Sequence, residues 1–146
     1  MLRFCFPAVL AALLLSCLSE PDCVVTSSSE VKISLKKTTS DSARFVLFDK
    51  IEVDGTDSVF YSADSVSSLV LPIHTGQFET TYRFYYESKT DSIKISYTRY
   101  TNVISPSCGS FNHFKDLAVV WYSFSSVVVV NPQITTSGSA NLDIKL

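Results

Sequence analysis

Along most of this chain apolar side chains recur at every second position. That spacing suits strands with one buried face and denies an amphipathic helix its 3.6-residue repeat. Val31, Ile33 and Leu35 alternate with Lys32, Ser34 and Lys36. The run 43–53, ARFVLFDKIEV, predicts a second strand, closed by the turn signal Asp54-Gly55, with residues 58–62 returning from it. Residues 66–73 predict a further strand, which Pro72 assigns to a sheet edge or a strand end because it has no N–H for a ladder. Residues 79–88 and 92–105 read as a hairpin turning at Lys89-Thr90-Asp91, with Pro106, Cys108 and Gly109 ending its second strand. The stretch 117–130 is dense in apolar residues but too short and too rich in serine to span a bilayer. It predicts a break near Ser125-Ser126, then a central strand at Val127 to Val130 buried on both faces and paired with a final strand at 141–146. The whole describes an all-β protein, an antiparallel β-sandwich of about seven or eight strands.

The first residues obey a different pattern. Arg3 is followed by apolar residues from Phe4 to Leu15, and Leu14-Leu15-Ser16 leads into Cys17 with no acidic side chain before Glu20. About a dozen apolar residues make a secretory signal peptide, whereas a membrane span needs roughly twenty. A small residue directly before a cysteine is the lipoprotein pattern, so residues 1–16 read as signal peptide and Cys17 as the lipidation site. The competing reading is an ordinary signal-peptidase cut with Cys17 and Ser19 as the small residues before Glu20. Residues 17–30 then form a lipidated N-terminus and polar tether, and residues 31–146 the sandwich domain. Leu18 stands where some inner-membrane lipoproteins carry a retaining aspartate, so the expected address is the cell envelope, at the outer membrane, periplasmic or surface-facing.

Of the four cysteines, Cys5 leaves with the signal peptide and Cys17 is acylated or removed, which leaves Cys23 and Cys108. Two thiols in an oxidising compartment suggest one disulfide, the alternative being two free buried thiols. A bridge between them would close a loop of about 85 residues and stabilise the fold by about 4 to 5 kcal/mol on the chain-entropy account. With Arg3 removed from the 12 basic residues, the 14 acidic ones predominate, and nothing in the charge pattern favours nucleic acid.

Each constellation that could carry chemistry has a plainer reading. No Cys or His spacing matches a zinc site, and neither a nucleophile elbow nor a glycine-rich phosphate loop is present, so neither enzymatic activity nor a cofactor is expected. His113, between Cys108 and Asp116, could suggest a Cys-His-Asp site, but an oxidised Cys108 cannot act as a nucleophile. Asp49, Glu52, Asp54 and Asp57 lack calcium-loop spacing and read as a solvated turn. Arg99 reads as a cross-strand ion pair with Glu79 or Glu87, and otherwise as a carboxylate grip in a cleft. Tyr82, Phe84, Tyr85, Tyr86, Tyr97, Tyr100, Trp121 and Tyr122 supply the one positive hint of binding: mostly core, with some outward-facing rings that could stack on a glycan or meet a protein of the envelope.

The stretch DSIKISYTRYTNVISPSCGS from Asp91 to Ser110, with VVVVNPQITTSGSANLDIKL from Val127 onward, resembles a family of small Bacteroidota lipoproteins known as a domain of unknown function. Its members pair a lipidated cysteine with another a few residues on, then a β-rich body and a strand carrying Tyr-x-Arg and Cys-Gly. Cys17, Cys23, Tyr97, Arg99, Cys108 and Gly109 occupy those places, while Ser107 stands where an acidic residue is frequent. The resemblance implies an envelope lipoprotein with a structural disulfide, and it implies no activity. The expected function is thus a non-enzymatic, membrane-anchored binding or structural module, with a glycan-binding accessory of a nutrient-uptake system as the alternative.

Overall fold

Nine strands in two sheets make up the described part of the computed structural model, which covers Cys23 and residues 27–57, 59–60, 64–136 and 138–146, the side chain of residue 104 excepted. The signal peptide 1–16, Cys17 and most of the tether lie outside the described residues. The first sheet has the order β4 (Ser68–Pro72), β1 (Glu30–Lys36), β9 (Leu142–Lys145), β8 (Ser126–Val129). The second runs β3 (Val59–Phe60), β2 (Lys50–Val53), β5 (Glu79–Tyr86), β6 (Lys89–Ser105), β7 (Gly109–Tyr122). Period-two alternation turns one face of each sheet inward. Val31, Ile33, Leu35, Leu142 and Ile144 meet Ile51, Tyr82, Phe84, Tyr86, Ile93 and Ile95 in one core. Each such side chain taken from water contributes about 1.5 to 3 kcal/mol.

The β-sandwich is therefore present, with three amendments. The pairing is not purely antiparallel: β9 lies parallel to β1, Ile33 opposite Leu142 and Leu35 opposite Ile144. Val127 to Val130 is not a doubly buried central strand. β8 pairs antiparallel with β9 as expected, but it is the edge of its sheet, and Val128 and Val130 remain 51% and 50% exposed because no third layer among the described residues covers the outer face. The run 43–53 is also divided. Ala43 and Val46 bridge to Lys36 and Val66, while Lys50–Val53 alone enters the second sheet as β2, so the chain crosses between layers in that run. Pro72 sits where its missing donor costs least, at the end of the edge strand β4.

One polar residue ties the layers together. Asn141 is buried, and its Oδ1 accepts from Lys32 N at 2.9 Å while its Nδ2 donates to the carbonyls of Asn131 and Gln133 at 3.0 and 2.8 Å. Its backbone donates to Lys32 O and accepts from Val130 N and Asn131 N. The segment so held passes to the second sheet, where Pro132 O accepts from Leu117 N and Ile134 N donates to Phe114 O.

Candidate functional site

β6 and β7 outrun the rest of their sheet. β5 accompanies β6 only as far as the pair Glu79 and Ser96, after which β6 continues through Ser105 with β7 as its strand partner. The result is a two-stranded ribbon beyond the sandwich. Its tip turns through Pro106 to Cys108, where Cys108 N donates to Ser105 Oγ at 3.0 Å, and Gly109 follows at φ +73°, a left-handed conformation that favours glycine. At that tip Cys108 forms a disulfide with Cys23, Cα to Cα 5.6 Å, closing 85 residues of chain. The N-terminal segment meets the body again at Ser27, which bridges to Thr135.

The base of the ribbon is anchored by buried hydroxyls. Thr80 Oγ1 accepts from His74 N at 2.8 Å and lies 2.7 Å from Tyr97 Oη, which donates to His74 O at 2.7 Å. With the Tyr97 proton on that carbonyl, the Thr80 proton must point to Tyr97, and the three groups close a ring of hydrogen bonds. Tyr82 Oη adds a bond to Pro72 O at 2.9 Å. Burial raises the Tyr82, Tyr86 and Tyr97 hydroxyls above the ordinary tyrosine range. For Tyr86 the hydrogen bond to Asp91 adds to the rise, and for Tyr97 the bonds with Thr80 and His74 offset part of it.

Arg99 does not form the expected ion pair. Its Nη1 donates to Thr75 O at 2.7 Å and its guanidinium lies over Phe78, while Glu79 pairs with Lys94 and Glu87 with Arg44. Arg99 therefore fastens the 74–78 loop to the ribbon. His113 stacks on Tyr100 at 5.2 Å between ring centroids, with Lys115 Nζ on the Tyr100 ring, and Cys108 is oxidised, so these residues make no thiol nucleophile.

The carboxylates around Asp54 divide. Glu52, Asp54 and Asp57 line an open pocket of about 370 Å³, but Arg83 lines it too, 2.7 Å from Asp54 and 3.9 Å from Glu52. That guanidinium fills the place of a cation. Glu52 also accepts from Lys50 at 2.7 Å and from Tyr85 at 2.8 Å; these bonds hold its carboxyl below the usual range and raise the Tyr85 hydroxyl. Among the described residues no group of three His, Cys, Asp or Glu could hold a metal ion.

The aromatic residues fall into two populations. Tyr82, Phe84, Tyr86 and Tyr97 are core, and Phe84 meets Phe48 and Phe124 at 5.7 and 5.4 Å. Tyr100, Trp121 and Tyr122 are exposed, yet Tyr100 pairs with His113 and Trp121 with Lys94, which separates them by roughly 20 Å along β6. They form no continuous row.

The profile of DUF6452, a family of unknown function, matches residues 47–146. The chain belongs to this family. The match spans β2 to β9 of the DUF6452 member and includes Cys108, while β1 and Cys23 precede it. No curated protein and no solved structure matches the chain.

Proposed function

We propose that this DUF6452 member is a lipid-anchored protein of the cell envelope, acylated at Cys17 and sited at the outer membrane, where it acts as a binding or structural module without catalysis. The observation that carries the reading is the Cys23–Cys108 disulfide. Such bonds persist in oxidising compartments, which agrees with an export signal at residues 1–16. A bridge six residues beyond Cys17 also accounts for the remaining thiols and leaves Cys17 for the lipid. A non-catalytic role is supported by the outer face of the second sheet, where Lys50 with Glu52, Arg83 with Asp54 and Lys94 with Glu79 neutralise one another as surface pairs. Glycan binding is the second reading, favoured by the 54% exposed Trp121 beside Tyr122.

Cys17→Ala should release the protein from membranes and abolish incorporation of labelled fatty acid. A variant that still floats with membranes and still takes up label would overturn the reading. Trp121→Ala should abolish binding to any glycan that the wild type retains on an array, and unchanged retention would remove the glycan alternative.

A further inference from the structure

We infer that the tip of the β6–β7 ribbon is the membrane-facing end of the domain and rests in the headgroup region of the bilayer, with Val103 against the acyl chains. The inference builds on acylation at Cys17. Six residues from Cys17 to Cys23 span at most about 22 Å when fully extended. The disulfide adds 5.6 Å between Cα atoms, so Cys108 stays within about 27 Å of the lipid-bearing residue. β6 has 17 residues and is roughly 50 Å long. The leash is therefore too short for the molecule to stand with its other end on the membrane.

The chemistry of the two ends agrees. From Tyr100 to Phe114 the chain contains no Asp, Glu, Lys or Arg. The opposite end carries Arg44 paired with Glu87, Lys145 paired with Asp41, and Asp91. A bilayer surface penalises every charge pressed toward its acyl chains, and residues 100–114 bring none, the acidic residues of the leash bonded to the tip being Glu20 and Asp22. The ribbon tip brings Val103, 70% exposed, and set back from it Tyr100, 44% exposed, an amphipathic ring of the kind that accumulates at headgroup depth. A lone valine adds little affinity by itself. Joined to an acyl chain that already holds the protein at the surface, it fixes orientation.

The chain has one tryptophan, Trp121, which pairs with Lys94, about 30 Å along β6 from Val103, and it serves as the far-end reporter. The acylated full-length protein is reconstituted into phosphatidylethanolamine–phosphatidylglycerol vesicles whose acyl chains are brominated. In the variant Val103→Trp with Trp121→Phe, tip emission should shift to the blue and be quenched several-fold more than Trp121 emission in the wild type. Flotation with the vesicles while the tip indole stays unquenched, or equal quenching at the two ends, would overturn the orientation and leave the anchor intact. Failure to float, with no fatty acid on Cys17, would overturn the anchor reading and this inference with it.

Discussion

The first half of β6 lies between β5 and β7 and buries Ile93, Ile95 and Tyr97, whereas the second half has β7 as its strand neighbour and ends beside a covalent bond to Cys23. One strand thus depends on two kinds of force. Apolar burial holds the sandwich end. The ribbon end holds through ladder bonds, the hydroxyl ring at Tyr97, the Arg99 fastening and the disulfide. Reduction should therefore act first at the ribbon tip, and high pH first where the buried tyrosines lie, at Tyr82 and Tyr86 in the sandwich and at Tyr97 at the ribbon's base.

The largest effect should come from breaking the bridge. Cys108→Ser, with Cys23→Ser, is expected to cost up to about 4 to 5 kcal/mol in denaturant unfolding. The contrast predicts how exchange responds: amides at 98–112 should open locally, at a free energy below that of global unfolding, while those at 89–97 should quicken only as far as global stability falls. Uniform acceleration along β6 would break the comparison. Asn141→Ala follows, at about 3 kcal/mol, because it leaves Lys32 N and two carbonyls without their partner. Exchange should also quicken at Ile134 and Leu117, whose amides donate to Phe114 O and Pro132 O where the segment that Asn141 holds meets the second sheet.

Alkaline titration sharpens the comparison from the other side. The Tyr82, Tyr86 and Tyr97 hydroxyls titrate higher in the folded protein than in the unfolded chain, so their contribution is complete below about pH 10 and declines as pH rises beyond it. The unfolding free energy should fall there by up to about 1.4 kcal/mol per pH unit for each tyrosine, and Tyr82→Phe should remove one such increment. A flat profile to high pH would contradict the burial of these hydroxyls. The smallest effects lie in the turns at the two ends of β6. Glu87 and Ser88 adopt φ +49° and +59°, the turn that suits Asn-Gly, so Ser88→Gly should stabilise by about 0.5 to 1 kcal/mol. Gly109→Ala at the other end should cost about 1 kcal/mol, as thermal melts of the pair would show.

The same division explains what could be read from residues alone. β1, the hairpin of β5 with β6, a break near Ser125, which in the structure separates Tyr122 from Ser126, and the pairing of β8 with β9 follow from alternation and turn chemistry, which are local. The hairpin turn falls at Glu87-Ser88 rather than at Lys89-Thr90-Asp91 because register across the strands overrode weak turn preferences. The first part of β7 escaped because Asp116, at φ +55°, lies where the β6–β7 register shifts, so that Phe114 and Leu117 both face inward three positions apart. Four valines suggested a central strand, but hydrophobicity does not report how many layers cover a sheet. At the candidate site the disulfide was legible from cysteine arithmetic. The bond of Arg99 to a carbonyl and the role of Asn141 were not, since both depend on distant backbone. The Cys17 assignment lies outside the described residues.

The parallel seam between β1 and β9 sets a timetable. Lys32 N waits for a partner 109 positions downstream, so the four-stranded sheet cannot close while the ribosome is still making the chain between them. Contacts this remote slow the search for the native state. They also leave the edge of β1 that β9 covers without its partner until synthesis has passed through residues 142–145.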